Sequence, residues 1–346
     1  MIPILYEQEE TAFTSNGIGR LSDAIECVVS EQINDYYTLS LTYPSDGQYA
    51  NEIKTGRLIL ATPSDGELPQ PFRIYEVNKL LGGTYEVQAN HISYDLSGYV
   101  LRRFISTTAA EAIGYLTSME LIASGFTFST DLSVSARLDT GSPRSYRAGM
   151  GGSDDSILGV YGGEWYFDRY SCQLLEHRGD DNGVSIRYGK NLTDLSALTS
   201  DEEVYTGVFA YWQTSNDYVS SQTQYIDQLA VPQRILITDH SSDYQTKPTT
   251  ADLNAAAQAD FAKIIGVTNS LTVSFVPLWQ TEEYKYLQPL EHVKMGDIVT
   301  VIYDKYDIAT KLEVVKTDYN VLLDRYETIE LGAIRPTLAD TIANLK

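Results

Sequence analysis

Three features of the sequence predict a β-rich α+β protein. Tyrosine is in excess, with 26 Tyr against 9 Phe and 3 Trp, and tyrosine favours strands that have one buried and one wet side. Apolar residues recur mostly with a period of two, in short runs cut off by Gly, Pro, Asn and Asp, the pattern of half-buried strands. Helical periodicity is confined to a few stretches, chiefly 107–119 and 250–265.

The first hundred residues read as strands. After a short apolar start at 2–6, residues 37–43 (YTLSLTY) alternate strictly and stop at Pro44, which predicts an amphipathic strand. A further strand is expected at 57–61. Strands at 72–80 and 84–90 flank Leu81-Gly82-Gly83, a hairpin signal. So many strands in so short a span suggest a compact barrel or sandwich. Next, Thr107-Thr108 precede Glu111 as a helix cap, followed by Ile113, Leu116 and Met119 at helical spacing. The Gly-, Ser- and Arg-rich stretch 136–152 reads as an exposed excursion, and Ser153-Asp154-Asp155 as the start of a short helix carrying Ile157, Leu158 and Val160. Runs at 164–168, 172–177 and 184–188, divided by turn residues, predict a three-stranded antiparallel meander that must lie against other elements. Strands return at 204–214, 234–238, 271–276, 298–303, 309–317 and 321–331. Thr250 is expected to cap the Ala-rich helix that runs to Ile265 and ends at Gly266, and 337–346 to form a terminal helix after Pro336. The expected organisation is a barrel domain at 1–98, an α+β insertion at 99–200, a second β-domain of the same kind with one helix at 201–335, and the helix at 336–346.

At 346 residues, 43% hydrophobic and 21% charged, the chain is globular in composition and long enough for two or three cores. The net charge of −22 argues against nucleic-acid binding through a basic patch; solubility alone would also account for it. Cys27 and Cys172 share no CxxC spacing and are expected to be buried free thiols, as in a reducing cytosol. The start MIPILYEQEE lacks the pattern of a signal peptide, and no apolar run approaches a membrane span.

The chemistry-bearing patterns are sparse. Neither Gly17-Ile18-Gly19 nor Gly149-Met150-Gly151-Gly152 has the spacing of a phosphate-binding loop, and no GxSxG elbow is present. His91, His177, His240 and His292 are scattered, without HExxH; His177 near Asp180-Asp181 offers a conceivable metal site, although a charged hairpin tip looks the same. Glu164 and Asp168 share a strand face but stand about 13 Å apart at the usual rise, too far to divide acid and base work directly. Asp239-His240 lacks an evident nucleophile. Trp165, Tyr166, Tyr211 and Trp212 would suit sugar stacking or, equally, core and subunit contact. No catalytic residue, cofactor or metal is expected.

The segment from Gly162-Gly163-Glu164-Trp165 through Tyr188-Gly189-Lys190-Asn191-Leu192 resembles the "GGE … YGKNL" stretch of siphophage tail-hub proteins. Those proteins form the N-terminal part of tail-associated lysins and minor structural proteins, often labelled prophage endopeptidase tail. Gln88–Leu96 (QANHISYDL) resembles the family's A-x-H-x-x-Y-x-L segment, and Val293-Lys294-Met295-Gly296-Asp297-Ile298-Val299 with Arg325–Gly332 its xLGDxV turn and closing strand. The resemblance implies structural roles for Gly162, Gly163, Glu164, Tyr188, Gly189, Asn191, Leu192, Gly296 and Asp297.

It further implies a fold like the baseplate hub of contractile phages: two tail-tube-like β-barrels with an inserted small α+β domain. Three copies would form a ring at the tail tip, beneath the distal tail protein and near the tape-measure and tail-fibre or receptor-binding proteins. DNA would pass through without specific binding, and the virion would be assembled in the bacterial cytoplasm. Many relatives continue into a peptidoglycan-cleaving or receptor-binding region, whereas this chain ends at Lys346, so the peptidase label is not carried over. The competing readings are a carbohydrate-binding module of a virion and a peptidoglycan hydrolase.

Overall fold

In the computed structural model, which describes residues 2–118, 124–187, 192–200, 205–225, 233–241, 243–244, 246–263, 268–275, 293–303 and 308–332, sequence alternation turns directly into burial. Along Tyr37–Pro44 every second residue is buried, and Glu26–Gln32 alternates in the same way. The two strands pair antiparallel, with Val29 opposite Leu39. The chain divides into two compact units, 1–151 with 155–196 and 271–334, and 152–154 with 197–270 and 335–346.

The first unit is built on a sheet that curls into a half-barrel. From Arg325–Gly332 it runs through Ile308–Asn320, Glu26–Gln32, Tyr37–Pro44, Thr84–His91, Gln70–Lys79, Leu58–Ala61 and Ile4–Tyr6 to Gly19–Arg20, and on its other side Thr268–Phe275 and Leu192–Ser200 extend it. Strands from both ends of the chain therefore share one sheet: Lys316 lies opposite Gln32 and Asn320 opposite Val28. The Gln70–Lys79/Thr84–His91 hairpin forms as the sequence predicts, and Gly83 (φ +81) supplies its left-handed turn residue. Cys27 and Cys172 are buried free thiols.

The smaller elements depart from expectation in four places. Ser185–Arg187 leaves the predicted meander and pairs in parallel with Ile298–Tyr303 instead. The third strand beside Glu164–Asp168 and Ser171–Leu175 is Thr127–Thr130, parallel to the latter. The stretch read as an exposed excursion contains the strand Ser135–Asp139 and the helix Tyr146–Met150, with Tyr146 and Met150 buried; two apolar side chains spaced one helical turn apart were enough to anchor it. The third helix runs over Ile157–Tyr161 and is capped by Ser156, whose hydroxyl accepts from the Gly159 N–H, rather than opening at Ser153-Asp154-Asp155. The helix Ala109–Ser118 carries the expected cap: Thr108 Oγ1 accepts from the Glu111 N–H, and the Glu111 carboxylate accepts from the Thr107 N–H.

In the second unit the strand Gly207–Gln213 is flanked by Tyr218–Ser220 and Gln224–Tyr225, both antiparallel, and by Ile235–Asp239, parallel. The helix Thr250–Lys263 packs on it, joining Ala257 to a small core with Val208, Ala210 and Leu236. The cap of this helix is Thr249, not Thr250: its hydroxyl accepts from the Asp252 N–H, and the Asp252 carboxylate accepts from the Thr249 N–H. The expected terminal helix at 336–346, Ile264 to Gly266, and His292 lie outside the described residues. Among the described residues no helix is long and apolar enough to cross a membrane.

Candidate functional site: the junction of the motif segments

The glycine–glycine–acid turn opens the site. The helix Ile157–Tyr161 ends at Gly162 (φ +68), Gly163 follows with φ +91, and Glu164 begins the next strand. Gly163 is constrained twice, since a Cβ there would also stand 2.7 Å from the Leu175 carbonyl oxygen. Asn34, in the turn after Glu26–Gln32, locks this corner: its amide donates to the Gly163 carbonyl at 2.9 Å and its side-chain oxygen accepts the Trp165 N–H at 2.9 Å.

Glu164 is buried, and one of its oxygens accepts the Arg178 N–H at 2.8 Å. Arg178 turns its guanidinium inward to Glu31, Nη1 to Oε1 at 2.7 Å, with both side chains 7% exposed. Burial by itself would lower the guanidinium's pKa, but the charge and hydrogen bond of Glu31 outweigh it and raise it. The ring of Tyr166 lies 5.2 Å from the same guanidinium. The next residue, Gly179, passes so close to the second motif turn that an added Cβ would lie 2.2 Å from the Gly296 carbonyl carbon and 2.3 Å from the Asp297 nitrogen.

Asp297 closes that turn. One oxygen accepts the Asp180 N–H at 3.0 Å, the other the Lys294 N–H at 2.9 Å. Its backbone N–H donates to the Lys294 carbonyl and its carbonyl accepts from Val314. Gly296 (φ +85) provides the left-handed step. Four separate segments (the turn at 162–164, the loop at 177–180, the turn at 294–297 and the strand Ile308–Asn320) are thus bonded into one junction. Tyr188, Gly189 and Asn191 lie outside the described residues, and Leu192 begins the strand Leu192–Ser200.

Beside the junction is a cleft of about 370 Å³ lined by Glu31, Tyr37, Glu67, Tyr166, Arg178 and Lys294, among others. Its cations are spoken for: Arg178 by Glu31, and Lys294 by Glu67 at 2.9 Å. His91, from the second motif, is fully buried nearby and stacks on Tyr37 with ring centroids 4.5 Å apart. Burial, then the charges of Arg147 and Arg178, hold its pKa well below the ordinary histidine value, so it is a neutral core residue. Its ring nitrogens meet Ser93 Oγ and Gln70 Oε1.

The other chemistry-bearing residues fall into structural use. Asp168 accepts a hydrogen bond from Gln70, and Trp165 and Trp212 are buried, their indole N–H groups donating to the carbonyls of Met150 and Tyr244. Buried rings of this kind offer no sugar platform. Asp239 turns to Ser241 and Tyr211, while His240 is held by Asp243 at 2.6 Å and Asp260 at 2.9 Å. His177 does not pair with Asp180 or Asp181. Asp181 binds Lys311 at 2.6 Å, and His177 faces Glu164 and Glu313. Burial, then the neighbouring Glu164 charge, pushes the Glu313 carboxyl up to about 8. Sequence reasoning missed Asn34, Glu31 and Glu313, each far along the chain from its partners; the one local signal was the turn-forming Asn34-Asp35, with Asn34 at φ +60.

Residues 180–342 match the protein family described as prophage endopeptidase tail. Three solved structures are similar over nearly the whole chain. The prophage tail protein gp18 from Listeria monocytogenes EGD-e has a TM-score of 0.66 at 13% identity, covering 100% of this chain and 98% of that one. The 43 kDa tail protein of prophage MuSo2 from Shewanella oneidensis has a TM-score of 0.65 at 12% identity, covering 97% and 99%. The tail protein from Neisseria meningitidis MC58 has a TM-score of 0.64 at 11% identity, covering 96% of each. At these identities the likeness is one of fold. No curated protein matches the chain. The β-rich fold is therefore that of phage tail proteins, and the C-terminal half of the chain carries the sequence pattern of a phage tail family.

Proposed function

We propose that the chain is a structural hub subunit of a phage or prophage tail tip, and that three copies form a ring around the DNA channel at the end of the tail tube. The observation that carries this reading is the coincidence of a tail-protein fold along the whole chain with a family match in its C-terminal half. The junction agrees with it: Glu164, Arg178 and Asp297, the polar residues that would be suspected of chemistry, are spent on internal hydrogen bonds. In this reading Gly162, Gly163, Glu164, Tyr188, Gly189, Asn191, Leu192, Gly296 and Asp297 are structural, and the chain is not an enzyme.

In this reading residues 1–98 and 201–335 supply the strands of two tail-tube-type barrels, with Ile308–Asn320 and Arg325–Gly332 joining the sheet of the first, 99–200 is the inserted α+β domain and 336–346 a terminal helix. Ring closure pairs or covers sheet edges that would otherwise invite uncontrolled association. Its neighbours in this reading are the distal tail protein, the tape-measure protein and fibre or receptor-binding proteins. The net charge of −22 suits a lumen that offers DNA no cations to replace its counterions.

Native mass spectrometry and electron microscopy of the purified chain, alone and mixed with a purified distal tail protein, test the reading. A threefold ring with an acidic channel wall is the expected result. A chain that stays monomeric with that protein present refutes the ring, and a neutral or basic wall refutes the role given to the charge.

A further inference from the structure

We propose that Glu164, His177 and Glu313 form a binding site for one zinc-type divalent transition-metal cation. The bound ion would staple the strand Ile308–Asn320 to the Glu164–Asp168/Ser171–Leu175 hairpin. This goes beyond the tail-hub reading and does not depend on it.

The three residues come from separate parts of the first unit: the first position of one strand, the loop two residues beyond a second, and the middle of a third. Each offers one donor atom, and the three atoms lie within 4.8 Å of one another. His177 Nδ1 is 3.3 Å from Glu164 Oε1 and 3.7 Å from Glu313 Oε1. Tetrahedral zinc with bonds of about 2.0–2.2 Å places neighbouring donors about 3.3–3.6 Å apart. Direct N–H···O bonds would instead close to about 2.7–3.2 Å. The 3.3 Å separation suits either a hydrogen bond or two donors on one cation, whereas the 3.7 Å separation is too long for a hydrogen bond and close to the spacing around a common cation.

A second observation points the same way. Glu313 Oε1 is buried with no hydrogen-bond donor in place, and the Glu313 carboxyl also meets the Glu164 carboxylate, a costly arrangement for two anions unless a proton or a cation lies between them. The cations nearby relieve it only in part. Arg178, whose charge extends to Glu313, is bonded to Glu31, and Lys311 to Asp181. The far oxygen of Glu164 is taken by the Arg178 N–H, which fixes the carboxylate with Oε1 turned toward His177, as an outer partner orients a metal ligand. One imidazole with two carboxylates suits zinc and its first-row neighbours, whereas calcium and magnesium take oxygen donors throughout. His177 is 36% exposed, so an ion can enter from solvent and a water can complete the coordination.

The rival account is a proton shared between Glu164 and Glu313, and metal titration separates the two. Full-length protein dialysed against a chelator is titrated with Zn2+ by calorimetry and with Co2+ by visible absorption. The expected result is one equivalent of Zn2+ bound, a tetrahedral Co2+ spectrum and a raised Tm. Glu313→Gln and His177→Ala are expected each to weaken binding by more than about 100-fold, beyond the 10–100-fold typical of losing an outer partner. His240→Ala, at the other histidine held by two carboxylates, should leave that binding intact. Circular dichroism in chelator establishes that each variant folds. Glu313→Gln removes a like-charge contact and should fold readily; if it does not, the more exposed His177→Ala carries the test. The proposal is overturned if the wild type shows no saturable Zn2+ or Co2+ binding, if binding survives Glu313→Gln or His177→Ala, or if it is lost with His240→Ala instead.

Discussion

Replacing Glu31 by Gln tests how much the junction depends on its buried ion pair. Glu31 and Arg178 are each 7% exposed and meet at 2.7 Å. Without the Glu31 charge, the guanidinium keeps the Trp165 carbonyl at 3.3 Å and the face of Tyr166, neither of which neutralises it, and its Nε has no partner. Breaking one half of such a pair typically costs about 3–5 kcal/mol, because the surviving charge stays buried. For a unit of this size, about 2–4 °C of Tm accompanies each kcal/mol, so Glu31→Gln should lower the melting temperature of the first unit by about 6–20 °C. Arg178→Met should cost a similar amount. The double variant Glu31→Leu with Arg178→Met should recover much of the loss, since exchanging a whole buried pair for apolar groups is often close to neutral. Urea unfolding followed by Trp fluorescence, run as a double-mutant cycle, measures the coupling. A loss below about 1 kcal/mol for Glu31→Gln, the value of an exposed pair, would refute the claim that this contact anchors the junction.

Gly179→Ala should destabilise the first unit by about 3 kcal/mol or more, because the new methyl meets backbone at Gly296 and Asp297 that cannot swing aside; calorimetry checks it. Gly162→Ala, with open space around it but at φ +68 and ψ −156, a region essentially reserved for glycine, should cost about 1–3 kcal/mol from backbone strain alone. In the second unit, the hydrogen bonds that His240 gives to Asp243 and then to Asp260 raise its pKa to about 9. A folded-state value above the unfolded one means stability that is complete below about pH 6.5 and is lost as pH climbs through about 9. At about 1.4 kcal/mol per pKa unit the loss is at most about 3.5 kcal/mol, reduced by solvent screening at the exposed Asp243. Chemical denaturation between pH 6 and 10 should show it, and His240→Ala should flatten the profile; an unchanged slope in that variant would assign the pH dependence elsewhere.

Features that depend on near neighbours were legible in the sequence. The alternation YTLSLTY became a strand with one buried face. The Leu81-Gly82-Gly83 turn made its hairpin, and Thr107-Thr108 with Glu111 made its cap. Two caps were misread by small shifts, Ser156 for Ser153 and Thr249 for Thr250, since neighbouring Ser, Thr and Asp residues all make acceptable caps and packing selects among them. The resemblance on the glycine–acid turns was legible too, and the left-handed φ angles of Gly162, Gly163 and Gly296 give its physical reason.

What the tertiary structure alone decided was partnership across long separations. A period of two tells which residues share a face of a strand; it does not tell which strand lies alongside. Ser185–Arg187 therefore looked like the third member of a local meander, yet its register belongs to Ile298–Tyr303, and Glu26–Gln32 lies beside Ile308–Asn320 from the far end of the chain. The same pairings bring Glu31 to Arg178 and Glu313 to Glu164 and His177. No local pattern marks these contacts, because closing such long loops is favourable only once the whole sheet is buried around them.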